Sequence, residues 1–117
     1  MEDDEPVRET TVALLKNFGY RVLQAGTGAE ALEAWRWHSS RIGLLLTDVV
    51  LPDGMSGLEL AERLHAEKAT LKVICTSGFS REMMARMPQL PAGTLFLQKP
   101  CPPQALAKAV RTMLDRS

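Results

Sequence analysis

The chain has 117 residues, 14 basic against 14 acidic, and 45% apolar side chains. That is the length and composition of one globular domain, and the zero net charge shows no global basic excess for nucleic acid or an anionic membrane. No apolar run approaches the roughly 18 residues of a membrane span, and the acidic start Met1-Glu2-Asp3-Asp4-Glu5 is neither a signal peptide nor a basic targeting sequence.

Taken in order, residues 7 to 18 place Val7, Thr11, Leu14, Leu15 and Phe18 on one helical stripe, and Gly19 closes that helix. Tyr20 to Ala25 reads as a short strand. Thr27 can cap a helix running to about Trp37, with Ala31, Leu32 and Trp35 inward. Ile42 to Thr47 is an apolar run of strand length, as suits a strand covered on both faces. A loop rich in Pro and Gly, Leu51 to Gly57, leads to a helix over Leu58 to Glu67. Leu71 to Thr76 is a strand, Ser80 to Met87 a short helix, and Thr94 to Gln98 a strand. The last helix starts at Pro102 and Pro103 and carries its stripe at Leu106, Ala109, Val110, Met113 and Leu114. Cys75 and Cys101 form neither a disulfide framework nor a zinc site; they read as small apolar fillers in a reducing cytoplasm.

Strands alternating with helices imply one doubly wound α/β domain over residues 1–117. Ligands of such sheets bind beyond the carboxyl ends of the strands. Asp48, Thr76 with Ser77, and Lys99 each stand at a strand end, and Glu2, Asp3 and Asp4 precede the first helix. This set suits phosphoryl transfer to a carboxylate. The Asp48 carboxylate is the nucleophile, clustered carboxylates suit Mg²⁺ (or Mn²⁺), and Lys99 and the Thr76 hydroxyl meet the spreading oxygen charge. Singly, each residue has a plainer reading. Asp48 could be a turn cap, the acidic run a solvated helix N-terminus, Thr76 and Ser77 turn formers, and Lys99 a surface lysine.

Together these residues resemble the receiver domain of bacterial response regulators and hybrid histidine kinases, over essentially the whole chain. Leu44-Leu45-Leu46-Thr47-Asp48-Val49-Val50-Leu51-Pro52 resembles that family's phosphorylation-site strand and loop. Val73-Ile74-Cys75-Thr76-Ser77-Gly78 resembles its Thr/Ser strand end, and Phe96-Leu97-Gln98-Lys99-Pro100 its Lys-Pro signature. The resemblance implies a CheY-like, flavodoxin-like three-layer α/β/α fold in which Asp48 is the phosphoacceptor. It also implies that Val50 lends a backbone carbonyl to the metal and that Phe96 is a switch aromatic moving with Thr76. A gap-free match makes Glu2 and Asp3 the acidic metal pair; anchoring on Asp3-Asp4-Glu5-Pro6 would choose Asp3 and Asp4. The expected partners are a histidine kinase or histidine phosphotransfer domain and a downstream protein, with a phosphorylation-dependent dimer as a further form. No direct nucleic-acid or membrane contact is expected, and catalysis is confined to self-phosphorylation and self-dephosphorylation.

The variants Asp53-Gly54-Met55-Ser56-Gly57 and Thr76-Ser77-Gly78-Phe79-Ser80 look most like receivers attached to hybrid sensor kinases. Only Met1 precedes Glu2, so the family's first strand is expected to be truncated, which would expose strand edges. The rival in that case is a pseudo-receiver, the same fold acting only as an interaction module. Gly26-Thr27-Gly28-Ala29-Glu30-Ala31 also fits a dinucleotide fingerprint, but leaves Thr76, Lys99-Pro100 and the acidic start without a role. A dehalogenase-type phosphatase would want a second Asp at position 50, which is Val.

Overall fold

The computed structural model describes residues 2, 5–48, 57–77, 94–98 and 102–115. In chain order these form α1 (Glu5–Asn17), α2 (Gly28–His38), β1 (Leu44–Asp48), α3 (Gly57–Glu67), β2 (Lys72–Ser77), β3 (Leu95–Gln98) and α4 (Pro103–Asp115). The short helix expected over Ser80 to Met87 and the loop residues Leu51 to Ser56 lie outside the described residues.

Local chemistry sets the helix ends. At the close of α1, Gly19 adopts a positive φ of 90°. Its N–H donates to the Lys16 carbonyl at 3.0 Å, and the Tyr20 N–H reaches back to Leu15 at 3.1 Å. This Schellman pairing satisfies carbonyls that the helix itself leaves open, and a residue without Cβ adopts it at least cost. At the start of α2, the Thr27 hydroxyl accepts from the Glu30 N–H at 3.1 Å while the Glu30 carboxylate accepts from the Gly26 N–H at 2.6 Å. This reciprocal cap uses up the glycine-flanked segment that a dinucleotide fingerprint would need for phosphate. Past the end of α3, the Lys68 ammonium donates to the carbonyls of Ser39 and Ile42 at 3.0 and 2.7 Å, tying α3 to the turn that leads into β1.

The strands pair in parallel in the order β1-β2-β3. Leu44 to Asp48 stand opposite Lys72 to Thr76, and Ile74 to Ser77 opposite Leu95 to Gln98. Alternating side chains feed two separate apolar layers, as a sheet covered on both faces requires. On one face Leu45, Val73, Cys75 and Phe96 pack with Ala31 and Trp35 of α2 and Leu60, Ala61 and Leu64 of α3. On the other, Leu44, Leu46, Ile74, Leu95 and Leu97 pack with Leu14 and Leu15 of α1 and Leu106, Ala109, Val110 and Met113 of α4. The result is the expected three-layer α/β/α arrangement.

Two expectations are corrected. Tyr20 to Ala25 is not a strand: it carries no ladder among the described residues. A strand is defined by its neighbour, and here Tyr20 bonds back to Leu15 of α1 while the Ala25 carbonyl accepts from the Glu2 N–H at 3.1 Å. Burial still holds the segment, with Tyr20 and Val22 on one core cluster and Ala25 in the other. The helical stripes are also narrower than their apolar residues suggest. Val7 and Phe18 of the first stripe are 44% and 59% exposed, and Leu114 of the last is 38% exposed. Each sits at a helix margin, beyond the surface that the opposing sheet covers.

Gly57 opens α3 against the end of β1. A Cβ there would overlap the Asp48 carbonyl oxygen and stand 2.8 Å from its carbon and 3.0 Å from the Thr47 hydroxyl. Gly57→Ala is therefore expected to cost about 1–3 kcal/mol through overpacking against rigid backbone, read as a lower urea midpoint with unchanged helix content. Cys75 is fully buried. Burial first, and the Asp48 charge second, push its thiol from 9.0 up to about 12. Between those values the unfolded chain sheds a proton that the folded chain keeps, so stability falls as pH rises above 9.0. Unfolding titrations of wild type and Cys75→Ala should diverge in that window and run parallel below it. Parallel curves throughout would contradict a buried, neutral thiol.

Candidate functional site at the carboxyl edge of the sheet

Because the strands run in parallel, their last residues share one edge. Asp48 ends β1 directly opposite Thr76 of β2, and Ser77 stands opposite Gln98 at the end of β3. Asp48 and Thr76 are both half-buried. Apolar strand interiors drive this placement: Leu44 to Leu46 and Val73 to Cys75 are drawn into the core, and the polar residues that follow emerge at the rim.

Two hydroxyls grip the main chain around Asp48. The Thr76 hydroxyl donates to the Thr47 carbonyl at 3.5 Å. At that length it is a loose bond, easily given up for a better acceptor. The Thr47 hydroxyl donates to the Asp48 carbonyl at 3.0 Å. Thr47 is 1% exposed, the one polar residue among the described residues that the fold buries fully. Sequence reasoning passed over it. The available signal was a lone hydroxyl closing an otherwise aliphatic strand.

Thr47, Cys75 and Phe96 form a cross-strand row on the α2–α3 face. Cys75 lies close enough to Asp48 for the carboxylate charge to raise its thiol, after burial, which is the larger cause. A charged rim thus meets a dry interior within one residue of Asp48. Phe96 is half-buried and packs against the apolar cluster of that face.

At the amino-terminal side, Glu2 is held through its backbone. Its N–H donates to Ala25, and its carbonyl accepts from the Arg8 guanidinium at 3.0 Å. Of the residues singled out from sequence, the structure thus places Glu2, Asp48, Thr76 and Phe96, and brings Asp48 and Thr76 together. Asp3, Asp4, Val50 and Lys99 lie outside the described residues, as do Pro100 and Cys101. Among the described residues no three His, Cys, Asp or Glu side chains converge as a metal cluster. The fit of a metal rests on donor chemistry: Glu2 and Asp48 offer only oxygen, the ligand that hard divalent cations prefer.

Comparison with known proteins places this geometry. The family model for the response regulator receiver domain matches residues 1–111. The chain is 34% identical over 116 residues to the sensor kinase CckA of Brucella abortus, covering 99% of this chain and 12% of that protein. It is 36% identical over 117 residues to the transcriptional regulatory protein FixJ of Azorhizobium caulinodans, covering 100% of this chain and 54% of that one. The chain therefore spans between about an eighth and about half the length of these relatives. Among solved structures, a CheY-like receiver from Methanospirillum hungatei superposes with a TM-score of 0.83 at 30% identity, covering 97% of this chain and 89% of that one. The receiver domain of the hybrid histidine kinase CckA superposes with a TM-score of 0.82 at 32% identity, covering 97% and 94%. With sequence family, three-layer fold and strand-end chemistry in agreement, this chain belongs to the response regulator receiver domain family of two-component signalling systems.

Proposed function

We propose that Asp48 is the phosphoacceptor of this receiver, with Thr76 and Lys99 as its partners in phosphoryl transfer. The observation that supports this reading most is the register of Asp48 against Thr76 at the carboxyl ends of two parallel strands. Receiver domains exchange phosphoryl groups with histidine kinases and signal to downstream proteins. The donor proposed here is a phosphohistidine on a kinase or a histidine phosphotransfer domain. An Asp48 carboxylate oxygen attacks phosphorus, an O–P bond forms, and the N–P bond to the donor imidazole breaks. The Thr76 hydroxyl exchanges its loose contact with the Thr47 carbonyl for a phosphoryl oxygen, and the Lys99 ammonium neutralises another. Water later cleaves the acyl phosphate and restores the carboxylate.

Glu2, Asp3, Asp48 and the Val50 backbone carbonyl are the proposed holders of Mg²⁺ (or Mn²⁺), which when bound supplies positive charge to the transferring oxygens. Departure of Thr76 makes room for Phe96 to turn from its present packing on the α2–α3 face. The surface around β3 and α4 then changes its affinity for a partner, including a second copy of the chain in a phosphorylation-dependent dimer. This is a two-state shift biased by contacts made only in the phosphorylated form. We assign residues 1–117 to one receiver unit working in the cytoplasm, as part of a hybrid kinase or beside one; no described helix is long and apolar enough to cross a membrane. The chemistry is that of a phosphorylated signalling domain, with catalysis limited to its own phosphorylation and dephosphorylation.

Intact mass spectrometry with acetyl phosphate and Mg²⁺ tests the assignment. Wild type should gain one phosphoryl group, and none when EDTA is present from the start, and Asp48→Asn should gain none. An Asp48→Asn chain labelled to the wild-type stoichiometry would sink the proposal. A wild-type chain that neither takes the label nor binds beryllofluoride would favour a pseudo-receiver. Thr76→Ala should fold normally and take the label roughly a hundredfold more slowly, the usual loss of one donor to a developing oxyanion; an unchanged rate would remove Thr76 from the transfer step.

A further inference from the structure

Asp48 ends β1, and its carbonyl packs against the first residue of α3, where the missing side chain of Gly57 makes room for it. A carbonyl so placed needs a donor. The Thr47 hydroxyl supplies one at 3.0 Å from a side chain that is 1% exposed. The Thr47 carbonyl in turn receives the Thr76 hydroxyl at 3.5 Å. Two consecutive carbonyls at the acceptor residue are therefore held by hydroxyls, one by a bond of normal length and one by a stretched bond.

The geometry points to Thr47 as a positioning residue for phosphoryl transfer: its buried hydroxyl fixes the Asp48 main chain, and with it the approach of the carboxylate, whether or not Thr76 is engaged elsewhere. This inference rests on Asp48 being the phosphoacceptor. The stretched bond from Thr76 is the one given up when a phosphoryl oxygen competes for that hydroxyl. The shorter bond from Thr47 meets no such competitor among the described residues, because its hydroxyl lies in the buried layer beside Gly57 and Cys75. The two lengths suit a division of labour: Thr76 has a loose contact to exchange, and Thr47 a bond of normal length to keep. Valine matches threonine in shape and lacks the hydroxyl, so Thr47→Val would take that one donor from the Asp48 carbonyl and loosen its hold on the peptide. Serine restores the hydroxyl and loses only a methyl group.

The test measures labelling rates from acetyl phosphate at saturating Mg²⁺ for wild type, Thr47→Val, Thr47→Ser and the core variant Val73→Ala. The Asp48 carbonyl ¹³C shift is recorded for each. Thr47→Val is expected to label roughly tenfold more slowly, the loss of about one hydrogen bond in the transition state. Its Asp48 carbonyl shift should move upfield, while Thr47→Ser keeps the wild-type shift and a rate within about twofold of wild type. Val73→Ala removes buried methyl groups from the same face and should label at the wild-type rate despite its lower stability. A wild-type rate in Thr47→Val overturns the inference, and so does an equal slowing in Val73→Ala, which would reduce Thr47 to a packing role. Should Thr47→Val fail to fold, Thr47→Cys, whose thiol is a weaker donor, carries the same comparison, with an unchanged rate and shift counting against the inference. Failure of the wild type to label at all is a different result: it removes Asp48 as acceptor.

Discussion

The parallel ladder between β1 and β2 is the constraint on which the rest of this structure depends. It sets Asp48 opposite Thr76 and carries both to the same rim. Parallel pairing obliges the chain to return across a face of the sheet between strands, so α3 lies between β1 and β2 in sequence and against them in space. That return begins at Gly57, pressed onto the carbonyl of Asp48. The helix start and the end of the strand it follows are therefore one packed unit, and Asp48 sits at their junction.

The same arrangement sharpens the electrostatic boundary. Below the rim the central strand β2 is dry on both faces, with Ile74 and Cys75 fully excluded from water. At the rim the residues turn polar. A carboxylate at such a boundary gains from nearby donors and cations more than it would in bulk solvent, because little water screens them. The raised thiol of Cys75 is the visible sign of that boundary, since the thiol responds first to its own burial and then to the charge of Asp48. The row Thr47, Cys75 and Phe96 runs just beneath the rim, so a change at Asp48 has a short path through packed side chains to the aromatic of β3.

Much of this was legible beforehand, for identifiable reasons. The capping residues Thr27 and Gly19 act through neighbours within a few positions, and both do what their types suggest. The runs Leu44 to Leu46 and Val73 to Cys75 read as strands because short unbroken apolar runs suit a sheet covered on both faces. The buried stripe of α4, Leu106, Ala109, Val110 and Met113, follows from helical periodicity alone. Where reading failed, the missing information was distant. Tyr20 to Ala25 has the composition of a strand, but being one depends on a ladder that no local pattern encodes. Phe18 and Leu114 are as apolar as their buried neighbours, and only the extent of the opposing layer leaves them exposed.

By itself the sequence determined the class of the fold, the family, and the strand ends at which to look, because periodicity, caps, motifs and the polar termini of apolar runs are local properties. Only the tertiary structure decided that the hydroxyl of Thr76 rests on the carbonyl of Thr47, that Thr47 is buried with its own hydroxyl on Asp48, and that position 57 must lack a side chain. Those facts arise where three elements distant in sequence meet. A hydrogen bond or a steric overlap there depends on distances of a few tenths of an ångström, which no spacing along the chain prescribes.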